Sequence, residues 1–271
     1  MIERFKRANP RALVCCSVRD FPKLPADDRQ RKLIAQTIDA YFDAIFVHGD
    51  PRICGDWPGF VMHPAIKLPL RFTGYIAPAH RGSSAEKGTA ASNAHADLAV
   101  LLSVGGGAGC FDILSAGVLA WDKLAKDGRV AGRAMKVFVG PYLSASESSE
   151  LRATIERARN VSVVPFSGAF LSMLLRASLS ISCAGYNTCV EALSANVRTV
   201  LIPSEDVSDQ RPRASRLAAV GVGSVVFREQ LTADYLMSAI TTELGNPRRS
   251  AQIALNGLDI TSLEIKELLS A

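Results

Sequence analysis

Six cysteines stand at positions 15, 16, 54, 110, 183 and 189, but none forms a C-x-x-C pair and no His/Cys cluster has zinc-ligand spacing. Most lie in apolar, strand-like runs, where a free thiol behaves as a small buried hydrophobe, as expected in a reducing compartment. No apolar run approaches the roughly 20 residues that a membrane span requires. Residues 1–11 have no apolar core of the kind a secretory signal carries. A soluble, cytoplasmic protein is expected, at most peripheral to the inner face of the membrane. Aromatic residues make up 7% of the chain and do not interleave with the basic residues of "MIERFKRANPRALVCC". That stretch reads as a solvated basic face, not a nucleic-acid arm. No internal repeat of roughly 20–50 residues marks a solenoid.

What is present fits an ordinary globular protein. The 271 residues suffice for one large domain or two small ones, and 48% are hydrophobic. A formal net charge of +5 is mild; it admits an anionic ligand and demands none. From Leu98 onward, short apolar runs alternate with helical stretches. The runs span 98–104, 135–140, 161–166, 179–184, 198–203 and 223–227. They are continuously apolar, as strands buried on both faces are. Helical periodicity over 111–126 and 147–159 separates some of them. The pattern predicts a doubly wound α/β domain with a parallel sheet, whose ligands bind at the carboxyl ends of the strands.

The first 76 residues repeat the theme with fewer elements. Strands are expected over 12–18, 44–50 and 70–76, and a helix over 27–42. Residues 77–97 are small, polar and rich in Gly, Ser and Ala, and read as a linker. The expected organisation is a partial N-terminal Rossmann-like domain (1–76), that linker, a ligand-binding domain (98–250) and a closing helix (251–271).

Four loops at the expected carboxyl edge carry chemistry. In "SVGGGAGCFD" (103–112), Gly105, Gly106 and Gly107 follow a strand and precede a helix, where backbone N–H groups can meet an anion. It is not a P-loop, since no Gly-Lys-Ser/Thr follows, and Cys110 replaces the third glycine of a dinucleotide fingerprint. Ser103 adds a hydroxyl; the plain structural alternative is a tight turn. In "ISCAGYNTCVEAL" (181–193), Gly185 is expected to supply positive φ or close approach. Asn187 or Thr188 is an expected N-cap, and Thr188-x-x-Glu191 has capping-box spacing. Glu191 either returns a cap hydrogen bond or binds ribose hydroxyls, and spacing does not separate the two. In "PSEDVSDQRPRASRL" (203–217), Asp209 and Gln210 suit sugar hydroxyls and Arg213 suits a phosphate, unless Asp209 is simply a cap. Phe166 ends a strand and packs on a base or in the core; Met173 reads as core. Together the four loops describe a cleft for a nucleotide with an attached sugar.

The order "SVGGGAG", "VFVGP", "VVPF", "CAGYNTCVEAL" and "IPSEDVSDQRPRASRL" resembles the C-terminal, donor-binding domain of glycosyltransferase family 28, over about residues 98–227. The resemblance implies a GT-B fold and metal-independent, inverting transfer of a hexosyl group from a nucleotide-sugar, a UDP-sugar foremost, to an acceptor hydroxyl. No cofactor and no nucleic acid are implied. It places Gly105, Gly106 and Gly107 on the diphosphate, and Phe166 at the base. Gly185, Asn187 and Thr188 shape the phosphate and sugar pocket, Glu191 holds ribose, and Gln210 with Asp209 meets the donor sugar. The family's N-terminal domain opens with a Gly- and His-containing loop that carries the candidate base, and nothing before Ala12 matches it. His48, in "FVHGDPR", does not match that loop either and reads as structural. The expectation is that the chain begins partway through that domain and that a partner chain supplies the missing half. The acceptor is expected to be lipid-linked or membrane-proximal. A non-catalytic donor-binding subunit and an epimerase of the same fold are the alternatives.

Overall fold

Two stretches far apart in sequence, Met1–Ala77 and Gln252–Ala271, make up one of two compact units in a computed structural model of the chain; Pro78–Ala251 form the other. The described residues are 1–23, 25–56, 66–78, 99–105, 109–164, 170–247 and 252–270. Most of the expected linker, and Gly106, Gly107 and Phe166, lie outside them.

The first unit opens with α1 (Ile2–Ala8), β1 (Cys15–Arg19), α2 (Asp28–Tyr41), β2 (Ala44–His48), α3 (Pro51–Cys54) and β3 (Leu70–Phe72). Its strands are parallel in the order β1-β2-β3. Helix α2 starts where Asp27 accepts the Arg29 N–H, and it ends at Phe42, one residue inside the expected span at each end. Helix α1 was not legible: the basic N-terminus forms a helix that buries none of its residues, and Lys6 pairs with Asp43 at 2.5 Å.

The second unit contains β4 (Ala99–Ser103), α4 (Phe111–Lys126), β5 (Ala134–Phe138), α5 (Ala145–Arg157), β6 (Val161–Val164), α6 (Phe170–Leu174), β7 (Leu179–Ser182), α7 (Tyr186–Ser194), β8 (Thr199–Leu201), α8 (Gln210–Ala219), β9 (Gly223–Val225) and α9 (Ala233–Gly245). Its six strands are all parallel, in the order β6-β5-β4-β7-β8-β9. Strands β4, β5 and β6 feed apolar clusters on both faces of the sheet. Val100 and Leu102 join an apolar cluster with Ile113, Leu114, Val118 and Trp121 of α4 and Leu151 of α5. Ala99 and Leu101 face the other way, into a cluster with Leu174, Ala177 and Ala192. That is why the runs read as continuously apolar. Helix α4 buries Ile113, Leu114, Gly117, Val118, Ala120, Trp121 and Leu124, a helical stripe. Met173 packs against the second cluster, as expected of a core residue.

Helix α10 (Gly257–Ser270) belongs to the first unit. The chain enters it through an isolated bridge, Ile76↔Asn256. The Tyr75 N–H donates to the Ala254 carbonyl at 2.8 Å and the Gly257 N–H to the Tyr75 carbonyl at 3.0 Å. Arg71 pairs with Glu264. Asp50, 1% exposed, caps α3 through the Arg52 N–H at 2.9 Å and also accepts the Ala254 N–H at 2.8 Å.

Candidate donor site

The chain builds β4, β5 and β6 outward in one direction, then crosses back to lay β7 on the other side of β4. Loops leaving neighbouring strands at such a switch diverge and open a crevice at the carboxyl edge. Register puts the three critical loops at one level: Ser103 pairs with Ser182, and Ser182 with Leu201. The segments after β4, β7 and β8 therefore leave the sheet side by side.

After β4, Ser103 is nearly buried and its hydroxyl accepts the Gly105 N–H at 3.5 Å. Gly105 is exposed with φ +62, a conformation that favours glycine, and a Cβ there would meet nothing within 4 Å. Helix α4 then starts from Cys110 with no side-chain cap. A helix start at the carboxyl edge of such a sheet carries partial positive charge.

After β7, the capping expectation fails. The N-cap of α7 is Gly185, neither Asn187 nor Thr188, and no side chain caps the helix. Thr188 is thus already inside the first turn, and Glu191 lies too far along to reach back to the N-cap. Gly185 has φ −64 rather than positive φ. What its missing side chain leaves is room: a Cβ would meet only the Thr188 Oγ1, at 3.9 Å. Asn187 is exposed, while Thr188 and Glu191 are half-buried. Burial raises the Glu191 pKa above the ordinary glutamate value. Its carboxylate meets no hydrogen-bond or ion-pair partner among the described residues.

After β8, Gln210 is nearly buried and its Oε1 accepts the Ser204 N–H at 2.9 Å, which fixes the loop. Asp209 is the N-cap of α8, yet its carboxylate does not cap; it takes the Arg213 Nη2 at 2.5 Å. Arg213 itself is fully buried, donates Nη1 to the Ala184 carbonyl at 2.8 Å, and lies 5.6 Å from the Tyr186 ring centroid. The structure thus sets Arg213 beneath the loops rather than on their open side. A cavity of about 250 Å³, lined by Pro203, Ser204, Glu205, Val207, Ser208 and Arg211, opens beside Gln210. A second, of about 230 Å³, lies by Arg198, Ser224 and Glu243 at the opposite, strand-entry edge.

Two features here were missed by sequence reasoning, the placing of Arg228 and the pairing of Cys110 with Cys183. Arg228, just past β9, donates to the Gly109 carbonyl at 3.3 Å and pairs with Asp112 at 2.7 Å, so it clasps the end of the glycine loop. Its place after a strand end was the available signal. Cys110 and Cys183 bring their sulfurs within 3.7 Å across the switch point. In the first unit, His48 is held by two hydroxyls, Thr73 Oγ1 at 2.9 Å and Ser17 Oγ at 2.8 Å. Burial lowers its pKa. Among the described residues, no cluster of three or more His, Cys, Asp or Glu could hold a metal ion, and no helix is long and apolar enough to cross a membrane.

Comparison with known proteins bears on the family and the fold. The glycosyltransferase family 28 C-terminal domain matches residues 101–262. No curated protein sequence matches the chain. Among solved structures, the glycotransferase of kitacinnamycin superposes with a TM-score of 0.58 at 16% identity, covering 99% of this chain and 65% of that one. Spinosyn rhamnosyltransferase SpnG complexed with thymidine diphosphate gives 0.58 at 18% identity, covering 95% and 64%. Acinetobacter baumannii MurG gives 0.53 at 17% identity, covering 90% and 78%. The chain thus spans a little under two thirds of the first two.

Proposed function

Because the chain belongs to glycosyltransferase family 28 and has the GT-B fold, we propose that its second unit is the donor-binding part of a metal-independent, inverting hexosyltransferase. The donor is a nucleotide-sugar, a UDP-sugar first and a dTDP-sugar as its rival, since one structural neighbour binds thymidine diphosphate. The diphosphate lies between the glycine loop from Gly105 to Gly107 and the uncapped start of α7 at Gly185, Asn187 and Thr188, with Ser103 alongside. Helix N-termini there offset the charge of the leaving diphosphate. Glu191 accepts the ribose hydroxyls, Gln210 and Asp209 meet the donor sugar, and Phe166 stacks on the base. Arg213 serves from below, holding Asp209 and the β7–α7 turn. The acceptor is a lipid-linked or membrane-proximal hydroxyl, in keeping with the exposed Arg4 and Arg11 near the N-terminus.

The observation that carries this reading is Glu191. A half-buried carboxylate without a described partner, on a helix whose N-terminus is open, is costly to keep unless a ligand satisfies it. Calorimetric titration with UDP, dTDP and their hexose conjugates tests the reading. Saturable binding of one of them supports it, and no binding at millimolar ligand refutes it.

A further inference from the structure

We propose that Cys110 and Cys183 form a reversible oxidative modification site that takes a peroxide as its co-reactant and, as a disulfide, closes the donor crevice. The second half of this inference rests on the donor-site reading above. The two sulfurs lie 3.7 Å apart although 73 residues separate them in sequence. Both side chains are shielded, at 5% and 7% exposure, so only a small oxidant reaches them. Cys110 begins α4 and Cys183 follows β7, so the pair spans the switch point itself.

Electrostatics make the pair unequal. Either sulfur can donate the hydrogen bond between them; with Cys183 as the donor, that bond, with the nearby Arg228 guanidinium, lowers the Cys110 pKa to about 7. That donor role and burial push Cys183 well above the ordinary thiol range. Cys110 is therefore the nucleophile and Cys183 the resolving thiol. Cys15 and Cys16 have no such advantage, since burial raises both.

The Cys110 thiolate attacks one peroxide oxygen. The O–O bond breaks, the thiolate becomes a sulfenic acid, and the departing hydroxide takes a proton to leave as water. The Cys183 sulfur then attacks the sulfenic sulfur. The S–S bond forms, the S–O bond breaks, and the hydroxyl leaves as a second water with the Cys183 proton. Two thiols lose two electrons, and one peroxide gains them. To bond, the sulfurs close from 3.7 Å to about 2.05 Å. Gly109, next to Cys110, has φ +64, and its carbonyl accepts the Arg228 guanidinium at 3.3 Å, so the closure must shift or release that hydrogen bond. The movement draws Cys110 and the start of α4 toward Cys183 and the turn at Gly185 that follows it, and narrows the space between the starts of α4 and α7.

The test uses the full chain, reduced and then treated with hydrogen peroxide. Non-reducing peptide mapping is expected to show a Cys110–Cys183 link that dithiothreitol removes. The denaturation midpoint is expected to rise, because the cross-link restricts the unfolded chain. Nucleotide affinity is expected to fall about tenfold or more, the size of one lost charge-assisted contact, and to recover on reduction. Cys183→Ala should show neither the link nor the losses. Absence of the link, or a link that leaves both midpoint and affinity unchanged, overturns the inference. If the reduced protein binds no nucleotide, the donor-site reading fails, while the link and the midpoint still decide the chemistry of the pair.

Discussion

The Arg213 guanidinium donates to the Ala184 carbonyl at 2.8 Å, across 29 positions of sequence. One buried side chain thereby ties helix α8 to the turn that follows β7. Because Arg213 also holds Asp209 at 2.5 Å, two of the loops assigned to the donor are set by a single group that does not itself face the open side.

Replacement of Arg213 by Ala should therefore act on both stability and binding. The Asp209 carboxylate and the Ala184 carbonyl lose their donor, and a buried void remains. A loss of about 3–5 kcal/mol is expected in chemical denaturation. Arg213→Lys keeps the charge but not the fork, so it should retain more stability while still weakening nucleotide binding. Equal binding by the Lys variant and the wild type would refute a positioning role.

Glu191 separates stability from function. Its folded pKa is raised, so the folded state holds the proton more tightly than the unfolded one. Its charge costs stability as pH rises from the ordinary glutamate value through the raised one, and that cost is complete above both. Glu191→Gln should then raise the melting temperature slightly at neutral pH. The same change should weaken nucleotide binding by about 10- to 100-fold, the range of a lost charged hydrogen bond. A ligand-free role for the carboxylate would leave the titration unchanged.

Asp50 gives the opposite pH sign. Burial disfavours its charge, but the Arg52 side chain and the Ala254 and Arg52 N–H groups more than offset this and hold its pKa below the ordinary aspartate value. Its contribution is present above the unfolded pKa and is lost as pH falls through the folded one. Asp50→Ala should cost about 2–4 kcal/mol at neutral pH, from a lost cap and lost charged hydrogen bonds. The deficit relative to the wild type should shrink in acid denaturation curves below about pH 4.

Much of the larger sheet was legible because its inner strands β4, β7 and β8 are buried on both faces. Val100 and Ala99 go to different cores, yet both must be apolar, so the run carries the signal without side information. The loops were legible for a related reason, since strand ends in such a sheet are where ligands go. Glu191 was not resolvable, because Thr188-x-x-Glu191 has the spacing of a cap whether or not a helix starts at Thr188. Only the backbone shows that α7 begins earlier, at Gly185 and Tyr186. Arg213 misled for a different reason. A helix start is a natural place for an exposed cation, and nothing local reports that Ala184 and Asp209 close over it. The Cys110–Cys183 contact depends on β7 crossing back beside β4, a property of the topology and not of either residue's neighbours.

The bridge between Ile76 and Asn256 bears on the order in which this protein is made. Residues Pro78–Ala251 leave the ribosome as one continuous stretch and can close their sheet as soon as they emerge. The three-stranded unit begins to emerge earlier but cannot be finished, because Ala254, whose carbonyl Tyr75 needs, and Glu264, the partner of Arg71, are translated only after the whole of the other unit. Of the two units, the one that starts first is thus the one completed second, and until then the surface meant for α10 must wait uncovered.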